Sequence, residues 1–141
     1  MNPGYEAKLR EIFEEEREKL KLSGRIELIF LEPPPPDYYE SLRHWWACFD
    51  HYSTGVFKNE DGSFTVQFNP RSYKRGVKIF RRRARHELFH IYFDGERDKI
   101  GLARYLFVSE PLAALYGLGL RIDKIFKRCP SNYMDEKARA F

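Results

Sequence analysis

His86 and His90 stand four residues apart with Glu87 beside the first, in the stretch His86-Glu87-Leu88-Phe89-His90, and this stretch constrains the fold more than any other. Two imidazoles at that spacing lie one turn above each other on a helix and so can reach one point in space. The pattern predicts a long helix from about Tyr73 to Asp94, with Gly95 as its C-cap. Any further group meant to meet the two rings must then come from elsewhere in the chain.

The rest of the 141 residues reads as one domain, 1–141, by size. Tyr5, Leu9, Ile12, Phe13 and Leu20 recur at helical spacing over 5–22, and Ser23-Gly24 stops this N-terminal helix within 1–24. Residues 25–31 (RIELIFL) predict a strand, ended by the stiff connector Pro33 to Pro36. Residues 47–57 look like an irregular strand. Residues 63–69 alternate, with Phe64, Val66 and Phe68 on one face, and the Glu60-Asp61-Gly62 turn makes a hairpin of the two. A last helix is predicted to start near Ser109 with Pro111 in its first turn, where a missing N–H does no harm, and to run toward Lys127. Cys129-Pro130 breaks it and leaves a tail, 129–141. The expectation is an α+β fold: a small three-stranded, mainly antiparallel sheet packed with an N-terminal helix, the His86/His90 helix and a helix carrying Glu110.

Composition removes several classes. No run of 18 apolar residues exists, so no membrane-spanning helix is expected. The charged helical start does not resemble a signal peptide, which makes the cytoplasm the expected location. Cys48 and Cys129 each lack a CxxC partner, which excludes a thiolate zinc finger and a thioredoxin-like motif and leaves two thiols as the expectation. Abundant Glu, Lys and Arg beside a single glutamine and two threonines resemble thermophile usage.

The chemistry follows from the H-E-x-x-H pattern. Zinc takes imidazole nitrogens at roughly 2.0–2.1 Å and wants about four ligands in a tetrahedron. Glu87, one residue round from His86, points to the side. There it suits a carboxylate that takes a proton from a water whose pKa zinc lowers to about 7, and passes it to a departing amine. Two histidines leave a catalytic zinc one protein ligand short. The downstream candidates are Asp94, on the same helix and better suited to orienting an imidazole N–H, and Glu110, twenty residues after His90. Glu110 also reads as a first-turn acid favoured by the helix dipole. Tyr116 is a weak candidate for stabilising an oxyanion, since it falls about 240° round the helix from Glu110.

HELFH followed twenty residues later by a glutamate on a helix resembles the gluzincin metallopeptidases, and the small size with three helices round a little sheet is similar to the minigluzincins. The resemblance covers about residues 25–127. It implies a zinc peptidase with His86, His90 and Glu110 as ligands and Glu87 as general base and acid. It also implies an extended peptide substrate bound along an edge strand, the place expected here for SFTVQFN. Larger gluzincins often carry an acid four positions after the glutamate ligand. This chain has Ala114 there, so support for the site is either supplied by Asp94 or Asp98 or absent. Latent minigluzincins suggest that the tail 129–141, with Cys129, Asp135, Glu136 or the terminal carboxylate, shields the cleft. An exposed, frayed tail is the competing expectation.

The rival signal is the basic run of Lys74, Arg75, Lys78, Arg81, Arg82, Arg83 and Arg85 within 74–85. It reads either as a nucleic-acid patch in a non-enzymatic or regulatory protein, or as a solvated helix face paired with the acidic first helix (Glu11, Glu14, Glu15, Glu16, Glu18). The second reading is favoured, because charge runs alone do not specify partners. His44 and His51 lie at no ligand spacing and are expected to be structural. Trp45 and Trp46 are expected in the core or an interface. A monomer is expected.

Overall fold

The computed structural model describes residues 1–34, 53–94 and 102–122, with the backbone alone for 102–107. Helix α1 (Pro3–Lys19) starts where Asn2 caps it, its side chain accepting from the Gly4 and Tyr5 amides. Strand β1 spans Ile26–Phe30, β2 Gly55–Lys58 and β3 Phe64–Phe68. A single turn of helix, α2 (Pro70–Tyr73), is capped by Asn69. Gly76, at φ +97°, then breaks the path, so the long helix predicted from Tyr73 begins instead at Val77 and runs to Asp94 as α3. A left-handed residue cannot continue an α-helix, and glycine adopts it at no steric cost.

Helix α4 (Leu102–Gly117) corrects the sequence expectation more sharply. It begins at Leu102 and not near Ser109, and Pro111 lies inside it. Proline marks a first turn only as a tendency. Here the helix tolerates one lost N–H, and Glu110 lies well within it rather than at its start. The dipole reason for an acid at that position therefore falls away. The helix stops at Gly117, short of the expected Lys127. Gly119, at φ +103°, donates to Tyr116 O and Leu120 donates to Leu115 O, closing the end in a Schellman arrangement.

The fold is α+β, as expected, but the sheet is mixed and not mainly antiparallel. Its order is β1-β3-β2, with β1 parallel to β3 and β2 antiparallel to it. The hairpin round Glu60-Asp61-Gly62 forms as predicted, with Asn59 and Ser63 closing it. SFTVQFN, however, is the central strand, not the edge. Val66 lies opposite Leu28 on one side and Val56 on the other, and Phe68 lies opposite Phe30. Only with β3 in the middle do these form one apolar sheet face.

That face is covered by α1 and α3 through Leu9, Ile12, Phe13, Phe80 and Leu88, all at most 1% exposed. The Phe13 and Phe80 rings pack edge-on against Phe68, and Tyr73, Phe80 and Phe68 pack edge-on or tilted against Phe30, with centroids 4.8–6.3 Å apart. Helix α3 packs on α1 along one side and on α4 along the other.

The seam between α1 and α3 carries much of the basic run. Glu16, fully buried, accepts from Lys19 and from Arg81, and Arg85 Nε lies 3.8 Å from it; Arg81 also pairs with Glu15. Burial pushes the Glu16 carboxyl up, but the hydrogen bonds from Lys19 and Arg81 outweigh it and hold the group below its usual range. A depressed folded-state pKa contributes stability that is full above the unfolded value and is lost as pH falls through the folded one. Thermal denaturation should therefore show stability dropping below about pH 4.5. Glu16→Gln should cost about 2 kcal/mol at pH 7 and flatten that acid limb, because two charged hydrogen bonds go while partly exposed partners recover some solvation. An unchanged acid limb in the variant would remove Glu16 as its source.

Candidate metal centre

Helix α3 presents Arg83, His86, Glu87, His90 and Asp94 to one cleft of about 550 Å³. The other face of α3 is buried through Phe80, Ala84, Leu88 and Ile91, so the helix cannot rotate without exposing its core stripe. Ser53 to Lys58, including all of β2, form one wall of the cleft. Ser109 and Glu110 of α4 form the other.

The two imidazoles and Glu110 converge. His86 Nε2 and His90 Nε2 stand 3.2 Å apart. The Glu110 oxygens lie 3.3 Å from His86 Nε2 and 3.0 Å from His90 Nε2. Among the described residues these three side chains are a group able to hold a metal ion. Donor atoms at roughly 2.0–2.1 Å from a tetrahedral zinc stand about 3.3–3.4 Å from each other, so the observed triangle needs little adjustment to receive one. Burial also disfavours the charged form of both imidazoles, which suits metal binding. Burial holds His90 below its usual pKa against the pull of Glu110. His86 is lowered by burial first and then by the neighbouring His90 and Arg83 charges.

Glu87 lines the same cleft but is outside the triangle. It is 6% exposed, and burial, reinforced by the Glu110 charge, pushes its carboxyl up to about 8, with Arg83 opposing. That value favours the protonated form, and a dication in the triangle would pull it back toward the carboxylate that accepting a proton requires.

Close approach of α4 to α3 accounts for the reach of Glu110. Gly117 lies seven residues after Glu110, on nearly the same helix face. A methyl group there would stand 2.9 Å from the Arg82 carbonyl oxygen and 3.4 Å from His86 Cβ. Nothing larger than a glycine fits between the helices at this point.

The remaining candidates sit as follows. Asp94 reaches the cleft but accepts from Lys58 Nζ at 2.8 Å, tying α3 to β2. Tyr116 is buried against Phe89, with the Arg85 guanidinium 4.6 Å from its ring, and does not line the cleft. Ala114 is exposed on α4. Asp98, Cys48, Cys129, His44, His51, Trp45, Trp46 and the tail 129–141 lie outside the described residues. Of the basic run, Arg81 and Arg85 face Glu15 and Glu16, as expected, while Lys74, Arg75, Lys78, Arg82 and Arg83 are exposed. Thr54, Lys58, Arg83 and Ser109 were not singled out in the sequence as cleft residues. Arg83 alone had a signal, since it falls three and four residues before His86 and Glu87 and so on their face.

No helix among the described residues is long and apolar enough to cross a membrane. In comparisons with protein-family models, curated proteins and solved structures, nothing matches this chain.

Proposed function

We propose that this chain is a zinc-dependent peptidase of the gluzincin type. The observation that carries the reading is the triangle of His86, His90 and Glu110 donor atoms at 3.0–3.3 Å, with a buried carboxyl, Glu87, beside it and outside it. A purely structural zinc site is closed by four protein ligands, whereas three ligands facing a cleft leave a position open. The motif resemblance to gluzincins supports the same reading.

His86, His90 and Glu110 would hold zinc, which supplies Lewis acidity and a nucleophilic water at neutral pH. Glu87 takes the proton of the attacking water on its carboxylate and delivers it to the amine nitrogen as the C–N bond breaks. Among the described residues strand β2 is at the edge of the sheet and along the cleft, so its outer backbone groups can align an extended peptide by main-chain hydrogen bonds. The substrate lies against β2, not against the SFTVQFN strand.

The zinc-loaded, dialysed chain should retain one zinc per molecule. His86→Ala and His90→Ala should each abolish retention, and Glu110→Ala should weaken it by at least about 10-fold. Chelation should stop peptide hydrolysis and added zinc restore it. A chain that retains no zinc, or hydrolyses peptides equally well without it, defeats the proposal.

A further inference from the structure

Of the two cations that line the cleft, Arg83 has no role in the proposed chemistry and no ion-pair partner among the described residues. Arg83 projects from α3 three residues before His86 and four before Glu87, about 4.5 Å along the axis from His86. It is exposed, and no hydrogen bond or ion pair to it is seen among the described residues. The other cleft cation, Lys58, is committed to Asp94 at the opposite end of α3. Of the cleft carboxylates, Glu110 is turned to the imidazoles and Glu87 is buried. Lys78 and Arg82 are exposed on the same half of α3 outside the cleft lining, and the cleft acid whose titration Arg83 affects, Glu87, is buried and makes no ion pair with it.

We infer that Arg83 selects substrates carrying a carboxylate next to the bond to be cut. A guanidinium on a scaffold helix offers a fixed fork of donors, which a carboxylate can accept in pairs. The Arg83 Cα lies four residues, about 6 Å along the helix axis, before that of Glu87, a span of up to two residues of extended chain that its long side chain can shorten to one. Two sources supply that chemistry: an Asp or Glu side chain, and the free carboxylate of a chain end. The inference rests on the peptidase reading for its setting, but the recognition it describes is a binding property and is measurable separately.

The test uses the full-length, zinc-loaded Glu87→Gln protein and four fluorescent peptides of one sequence. They carry an internal Glu with an amidated end, Gln with a free carboxyl end, Gln with an amidated end, and Lys with an amidated end. At least one carboxylate-bearing peptide should bind about 10-fold or more tightly than the Gln amide, and the Lys peptide should bind worst. Whichever carboxylate peptide gains identifies the source. Adding Arg83→Gln should erase the preference, and Arg83→Lys should restore part of it. Because Arg83 is exposed, both variants should melt with the parent. Equal binding of all four peptides, or a preference that survives Arg83→Gln, overturns the inference. The Arg83-dependent preference without hydrolysis by the wild-type chain upholds the inference and counts against the peptidase reading. Hydrolysis of all four at equal rates does the reverse.

Discussion

Glu87→Gln should leave zinc bound and lower peptide hydrolysis by about 10²–10⁴-fold, the usual contribution of a positioned general base. The carboxyl lies outside the ligand triangle, so its loss takes no donor from the metal. The swap preserves size at a site only 6% exposed, so it opens no cavity. It removes a cleft carboxyl whose proton affinity burial has raised. Glu87→Asp, which keeps the acid but draws it back by one methylene, should fall between the two. Metal analysis beside kcat decides the matter. Activity within a few-fold of wild type would assign the proton transfer elsewhere, and zinc lost along with activity would make Glu87 a supporter of the ligands.

The second large effect is expected at Gly117. A side chain there meets the Arg82 backbone carbonyl at 2.9 Å, and a carbonyl in the middle of α3 cannot swing aside as a flexible side chain would. The helices must separate. Gly117→Val should destabilise the fold by about 3 kcal/mol, at the upper end of overpacking costs. Gly117→Ala should cost less, yet still weaken zinc binding by about 10-fold or more, because Glu110 shares the displaced face. Gly119→Ala supplies the control. It sits at the same end of α4 with a strained φ of +103° and nothing within 4 Å of the added methyl, so it should lower stability without touching the metal. If Gly117→Ala affects zinc affinity no more than Gly119→Ala does, the helix spacing is not what positions Glu110.

The part of the site that sequence reveals is the part built by local geometry. His86, Glu87 and His90 belong to one helical turn, and helical spacing alone puts them together; Arg83 obeys the same rule. Glu110 comes from a second helix, and its place depends on Gly117 letting two backbones touch, which no periodicity encodes. The start of α4 was misjudged because Pro111 is as compatible with a helix interior that forgoes one bond as with a first turn. The sheet was misjudged because Phe64, Val66 and Phe68 alternate in the same way whether one neighbour covers their strand or two. Strand order is settled by which apolar faces join, a property of three segments at once. The Lys58 and Asp94 pair, 36 positions apart, has no local signal either.

The split origin of the triangle bears on how the chain matures. Helix formation takes about a microsecond or less, so the imidazole pair can exist before any tertiary order. The carboxylate arrives only when α4 has docked, glycine against carbonyl, on α3. A collapsed intermediate with intact helices would thus own two donors and hold a cation feebly. Full affinity is reserved for molecules that have finished folding, and tight metal retention becomes a readout of native topology.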